Sequence, residues 1–496
     1  MIDAFLALLS PWPLFYLTLG TALGIVIGAI PGLTASMLIA LTLPLTFSME
    51  PTHAMTLLIG EYVGGISGGL IAATLLRMPG TPASIMTTFD GFPMAQKGRG
   101  ERALGLGIAA SFFGGVVSWA FLALLSPPLA RLALSFGPWE YFTLVLMALV
   151  MLASLSQGSM IKGLIAACLG MLFAMPGIDP SIGQLRLTFG INDLAGGLNL
   201  LPVLIGTFAV SQIIKDVLSI STPLPRVDVQ RKGVVIGRRD VTKHFSNLCR
   251  SSVIGTWIGI LPGIGGNIAA MVAYATARQV SREPQKFGTG HEPGVVAAET
   301  ANNASIGGAL IPLITMGIPG SVTEAILIGA LIIHNLQPGP LLFATNPEIA
   351  YGVIASYLAA NILMLFMMLA AVSYIARVMY LPRTYLISAI LLFCVIGTFA
   401  LNNRFFDVWV MLGFGVIGFC LERVKVPLGP FVIGFVLAPI AEEQFRAGMM
   451  ASAGDVMAIF TRPFATAFLI VSLATLAWPF IAERRRARTS RPQETS

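Results

Sequence analysis

Within one apolar run the stretch ETANNASIGG sets Glu299, Asn302, Asn303 and Ser305 within two turns of a single predicted helix. Amides and carboxylates are costly in hydrocarbon, so residues kept there face a cavity, a substrate or a coupling ion. The competing reading makes Glu299, and Glu61 in the first half of the chain, interfacial residues near helix ends. Further along, IPGSVTE offers Ser321, Thr323 and Glu324, and in the first half MPGTPAS offers Thr81 and Ser84. Glu299, Glu324 and Ser305 are the candidates for a coupling ion, Na+ or H+.

Two other segments, GAIPGLTAS from Gly28 and GILPGIGGN from Gly259, plant proline and glycine inside long apolar runs. Proline deletes a backbone donor and glycine frees the dihedrals, so each predicts a helix break at membrane depth. Gly32, Thr34 and Ser36 at the first tip, and Gly263, Gly265, Gly266 and Asn267 at the second, present amides and short polar side chains. With half-helix N-termini turned toward them, such tips replace the water around a carboxylate or a small cation. Small residues also let membrane helices pack closely, which is their commoner use. A single glycine is read that way, the paired tips as a site. Arg77, alone in ATLLRMPG, has three readings: a fork for a carboxylate, a partner for Glu61, or a side chain snorkelling to the cytoplasmic face.

No catalytic or metal-binding residues are assigned. HExxH, a nucleophile elbow and a Walker A loop are absent from the sequence, and GIGG at Gly263 follows a membrane break rather than a strand. The four histidines fall in predicted loops, and no pair of aspartates occupies apolar spans.

The elements that must position these residues are membrane helices. Of 496 residues 56% are hydrophobic and 11% charged, with a mean hydropathy of +0.83, far above soluble-domain usage. The net charge of +7 sits mostly in short loops and the tail, where it reports orientation and not nucleic-acid binding. Four scattered cysteines read as buried free thiols. The N-terminus lacks the basic region and cleavage site of a removable signal peptide.

Landmarks recur in order. After Pro31 come Glu61, Gly68–Gly69, MPGTPAS and Gly98; after Pro262 come Glu299, Gly307–Gly308, IPGSVTE and Gly339. This predicts an internal duplication. Corresponding loops swap charge: FSMEPTHA has no Lys or Arg and DGFPMAQKGRGER has three, whereas ARQVSREPQKFG has three and HNLQPGPLLFATNPE none. Basic loops stay cytoplasmic, so the copies are expected in opposite orientation. The expectation is an all-α polytopic protein of two inverted repeats with about twelve crossings, re-entrant or broken helices at both tips, and both termini cytoplasmic. The halves are residues 1–224 and 251–496, joined by a basic cytoplasmic linker at 225–250. Arg131, Arg186 and Arg404 fall in loops this scheme places outside.

The segments EYVGGISGG, MPGTPASIMTTFDGFPMAQKG, KFGTG and ETANNASIGGALIPLITMGIPGSVTEAILIGALIIHNLQPGP together resemble the large membrane subunit, TctA, of the tripartite tricarboxylate transporters. The resemblance runs from Gly20 to the tail. It implies a bacterial inner-membrane importer of di- or tricarboxylates, driven by an ion gradient. It also implies two partners, a small TctB-like membrane subunit and a periplasmic TctC-like solute-binding protein. A site alternately exposed by movement of one part against a scaffold would then need no covalent chemistry. Rival readings are a cation/proton antiporter, working alone through a carboxylate such as Glu299, and a membrane-embedded enzyme.

Overall fold

The computed structural model describes residues 1–78, 81–155, 159–179, 182–218, 237–263, 265–378 and 383–489. Almost all of them are helical. In chain order the first helices are α1 (Ile2–Leu8), α2 (Pro11–Gly28), α3 (Ala35–Thr46), α4 (Pro51–Leu76), α5 (Ile85–Gln96), α6 (Gly100–Ala133), α7 (Pro138–Leu155) and α8 (Met160–Phe173). A two-stranded antiparallel ribbon follows, β1 (Gly177–Ile178) with β2 (Leu185–Arg186). Next come α9 (Leu200–Ile205), a π-turn at Gly206–Val210, α10 (Ser211–Leu218), α11 (Arg238–Ile260), α12 (Gly265–Val280), α13 (Glu292–Met316) and α14 (Val322–Ile333). The last are α15 (Pro340–Thr345), α16 (Pro347–Val378), α17 (Arg383–Asn402), α18 (Phe405–Arg423), α19 (Leu428–Ala451) and α20 (Pro463–Thr489).

Seven described helices are long and apolar enough to cross a membrane, and six shorter apolar ones accompany them, including α3 and α14. The chain is thus an all-α polytopic membrane protein. Residues 225–236 of the expected linker, Pro79, Gly80, Ile264 and the last seven residues lie outside the described residues. Residues 238–250 are not linker but the first half of α11. Among the cysteines only Cys394 is buried; Cys168 and Cys420 are exposed on the outer faces of their helices, against the expectation that apolar runs bury them.

The chain forms two compact units, one of Met1–Leu134 and Leu198–Val424, the other of Ser135–Gly197 and the residues from Lys425 on. The first unit holds both helix breaks. Its α2–α3 hairpin opens beside Glu50 and His53: Tyr16 lies against the His53 ring at 5.4 Å, and Met1, Asp3 and Pro13 share a pocket with Glu50, His53 and Glu348. With only 7 residues, α1 is too short to add a crossing. The N-terminus therefore lies beside the loop around Glu50, which carries no Lys or Arg.

The α11–α12 hairpin opens on another face, where Arg102 at the start of α6 bonds Asp240 at 2.6 Å and Glu292 at 3.2 Å. The Arg102 guanidinium holds the Asp240 carboxyl down to about 2.

Glycine sets the packing of both hairpins. Gly20, Gly24 and Gly28 of α2 lie on the α4 carbonyls of Leu57, Glu61 and Gly65, while Gly64 and Gly68 of α4 lie on Thr21 and Ile25. In the same way Gly255 and Gly259 of α11 lie on Ala301 and Ser305 of α13, and Gly308 lies on Thr256. Backbones this close leave no room for a Cβ, and their dispersion contacts substitute for a hydrophobic drive that lipid cannot supply.

The second unit packs α7, α8, α19 and α20 around Trp139, Ile459 and Ala465, with Gly170 on the Phe431 carbonyl and Gly434 on that of Ala167. At one end Arg186 and Arg446 share Asp179 and Glu442 at 2.5–3.2 Å. Arg186 is thus paired inside the unit.

A Cβ at Gly24 would sit 2.5 Å from the Glu61 oxygen and 2.7 Å from the Gly65 nitrogen. Gly24→Leu is therefore expected to force α2 off α4 and cost about 3 kcal/mol, read as a large drop in detergent melting temperature. Gly352→Ala, with nothing within 4 Å, is expected to melt like the parent.

Candidate functional site

The glycine contacts set a register between the two similar stretches of the chain. Gly28 and Gly259 precede their prolines by the same spacing and rest on Gly65 and Ser305, so Gly65 answers to Ser305 and Gly68 to Gly308. Gly68 to Pro79 and Gly308 to Pro319 then span equal lengths. This register differs by one residue from matching the glycine pairs, and it removes the pairing of Glu61 with Glu299: Glu61 answers to Ala301, and Tyr62 to Asn302.

The first tip meets α4 and the PG turn before α14, and the second meets α13 and the PG turn before α5. At the first tip, Thr34 caps α3 by accepting from the Met37 amide at 3.2 Å, Ala35 abuts Gly65, and Ser36 Oγ bonds Thr323 Oγ1 at 2.7 Å. At the second tip, a Cβ on Gly266 would lie 2.9 Å from Ser305 Oγ, 3.0 Å from Asn302 Oδ1 and 3.2 Å from Ala83. The Gly263 amide donates to the Gly320 carbonyl at 2.7 Å, joining tip and turn within the second copy. Gly265 approaches Ser321, whose hydroxyl caps α14 by accepting from the Thr323 amide.

Polar side chains at this depth are matched with unequal care. Asn303 Oδ1 accepts from Ser67 at 2.7 Å and its Nδ2 donates to the Glu299 carbonyl at 3.2 Å. Glu299 accepts from Thr87 at 2.5 Å and Ser111 at 3.2 Å. Ser305 donates to the Asn302 carbonyl. Thr81 and Ser84 bond each other and cap the start of α5. Glu61 accepts from Thr42 at 2.7 Å through one oxygen only. Tyr62 donates to Glu324, whose second oxygen is unpartnered. Asn302 is 1% exposed, and neither its Oδ1 nor its Nδ2 has a hydrogen-bond partner.

The site predicted from sequence is therefore assembled in part. Gly266, Asn302 and Ser305 converge, as do Ser36, Thr323 and Glu324. Thr81, Ser84 and Asn303 are spent on structure. Asn267 is half-buried, and Gly32 faces Gln212 and Asp216 of α10 instead. Arg77 is exposed, closes α4 in left-handed backbone at φ 56°, and holds its guanidinium 5.8 Å from the Phe92 ring centre. Of its three readings, pairing with Glu61 is excluded, since Glu61 turns to Thr42.

Sequence reading missed Tyr62, Ser67, Thr87 and Ser111, four buried hydroxyls inside apolar helices. A search for polar residues at helical spacing opposite the glycine faces was the available signal. It also missed Asp90, which ties two recurring motifs together. Its Oδ1 accepts from the amides of Gly288, Gly290 and His291 at 2.8–2.9 Å and its Oδ2 from Tyr274 at 2.7 Å.

A multi-pass membrane protein with two broken hairpins, each seated against a distant PG turn and lined by unpaired polar groups, has the build of a transport protein. Residues 14–433 match the model of the tripartite tricarboxylate transporter TctA family. The chain is 34% identical over 481 residues, 97% of its length and 95% of the relative's, to an uncharacterized 52.8 kDa protein in the TAR-I ttuC' 3'region of Agrobacterium vitis. It is also 34% identical over 234 residues to an uncharacterized protein in the TAR-II ttuC' 3'region of the same organism, covering 47% of this chain and 97% of that one. No solved structure matches. The chain belongs to the TctA family and is a component of a tricarboxylate transporter.

Removing the Asp90 carboxylate strands three amides. Asp90→Ala is expected to cost about 3 kcal/mol or more, whereas Asp90→Asn, which keeps an acceptor for them, costs a fraction of that. Detergent melting curves of the two variants check the difference.

Proposed function

We propose that this chain is the substrate-carrying membrane subunit of a secondary transporter importing citrate-like di- or tricarboxylates across the bacterial inner membrane. A periplasmic solute-binding protein delivers the anion, a small membrane subunit accompanies the chain, and an ion gradient, Na+ or H+, supplies the drive. Membership of the TctA family supports the transporter role. The observation that carries the site is Asn302: a carboxamide buried to 1% exposure with both polar atoms unpartnered, beside the bare backbone of Gly266. A carboxylate there would accept from the amide nitrogen and from the free N–H groups opening α12, at the positive end of its dipole.

The architecture is read as two inverted repeats. The hairpin that opens beside Arg102, Lys97 and Arg99 lies on the cytoplasmic side by the charge rule, and the one beside Glu50 on the external side. Each tip then reaches the midplane from one side, so small displacements of the hairpins expose the site to either compartment in turn. An antiporter would work without a binding protein, and a membrane enzyme would turn over substrate with no gradient imposed.

Two measurements test this reading. Uptake of radiolabelled citrate and succinate into vesicles, with binding protein added and Na+ or pH gradients imposed, is expected to fall by about tenfold or more in Asn302→Leu and Gly266→Val at unchanged expression. Parental uptake in both variants overturns the site. Cysteines at the exposed positions 96 and 337 are expected to label from opposite sides of the membrane. Labelling from one side removes the inverted repeat.

A further inference from the structure

The two half-sites are built alike and differ in chemistry. One combines Gly266 of the second tip, Asn302 of α13 and Ala83 of the first PG turn, and none of these is charged. The other combines Ser36 of the first tip, Tyr62 of α4 and Thr323 and Glu324 of the second PG turn. By the register of the glycine contacts, Tyr62 stands where Asn302 stands and Glu324 where Ser84 stands. Where one half carries neutral hydrogen-bonding groups, the other carries a carboxylate.

Glu324 is fully buried; one oxygen accepts the Tyr62 hydroxyl, and the other, beside the Ser321 hydroxyl and backbone, makes no well-formed hydrogen bond. The elements packed on α14 are α3, α4, α9 and α13. α3 and α9 hold no titratable side chain. α4 brings Tyr62 and, one residue earlier, Glu61, which is taken by Thr42; its His53 lies at the far end beside Glu50. α13 brings Glu299, taken by Thr87 and Ser111, and Glu292, taken by Arg102 and Lys243. Among the described residues no cation faces Glu324. An anionic carboxylate left unpaired here is costly, and a hard monovalent cation on the free oxygen removes that cost. The Ser36 and Thr323 hydroxyls, bonded to each other at 2.7 Å, lie at the same turn.

We propose that the Tyr62–Glu324 half-site binds the monovalent cation whose gradient drives transport, while the Asn302 half-site binds the carboxylate. This rests on the transporter reading above. Occupation of each half-site satisfies a tip and turn drawn from different copies, so cation and anion stabilise the same closed arrangement of hairpins and bind cooperatively.

The test compares two modes in vesicles containing the full chain, its small subunit and binding protein. Counterflow of [14C]citrate, with no ion gradient, reports movement of the anion alone. Accumulation under an imposed Na+ or pH gradient reports coupling, and the arm that drives the parent identifies the cation. Because the two ions bind cooperatively, Glu324→Gln, a neutral isostere, is expected to slow counterflow, to abolish its dependence on Na+ or pH, and to lose gradient-driven accumulation by about tenfold or more. Tyr62→Phe is expected to shift the Na+ or H+ concentration for half-maximal accumulation. Accumulation by Glu324→Gln equal to the parent's overturns the proposal. So does counterflow that keeps the parent's dependence on Na+ or pH in a variant that melts like the parent, which returns Glu324 to a structural role. If the parent itself neither exchanges nor accumulates any carboxylate, the transporter reading fails instead.

Discussion

A helix broken at hydrocarbon depth frees amides and carbonyls that lipid cannot satisfy, and the rest of this structure follows from how they are met. Thr34 caps α3, Ser321 caps α14, Thr81 and Ser84 cap the start of α5, and Gly263 donates to Gly320. The last of these works only if tip and turn lie side by side. That in turn requires the hairpin arms to ride directly on α4 and α13. The glycines at 24, 28, 64, 68, 255, 259 and 308 permit that approach, so the glycine faces are the means by which the broken segments find partners.

Much of this was legible because it is local. Proline and glycine in an apolar run announce a break without knowledge of neighbours, and both breaks are found where they stand. The register was not legible. Gly64, Gly65, Gly68 and Gly69 offer several equivalent alignments by type, and only the carbonyls they touch choose among them. Glu61 and Glu299 looked equivalent for that reason and are not. Tyr62, Thr87 and Ser111 escaped notice because their partners lie on distant segments, and a hydroxyl in an apolar helix is silent until packing gives it a neighbour. Arg77 stood out in sequence as a lone charge, yet its place beyond the end of α4 leaves it exposed.

The compact units cut across the halves of the chain, each taking segments from both. Within each, a helix from one half crosses a helix from the other at glycine: α8 and α19 through Gly170 and Gly434 in one unit, the π-turn and α18 through Gly206, Gly415 and Gly418 in the other. The same device that seats the hairpins is thus reused at these crossings. The π-turn at Gly206–Val210 leaves Thr207 Oγ1 buried and unpartnered, and such turns place extra backbone where a helix must bend around a neighbour.

Asn302 and Asn303 are adjacent, equally buried and of the same type, so composition and depth cannot explain why one is satisfied and the other is not. Asn303 earns two hydrogen bonds by facing Ser67. Asn302 faces the second tip, where Gly266 offers it only a bare backbone. An unsatisfied buried polar atom costs about 1–3 kcal/mol, and Asn302 carries two. A leucine would fill the space at lower cost if packing were the only demand. Retaining the amide there makes sense if its partner arrives and departs. Glu324, at the matching turn of the other half, presents the same imbalance with a charge. Unpaired groups in both halves lie beside the broken tips. The shortfalls of Asn302 and Glu324 thus fall where a solute and a cation would restore them, whereas unpaired groups such as Ser126 Oγ and Thr207 Oγ1 lie on other helices.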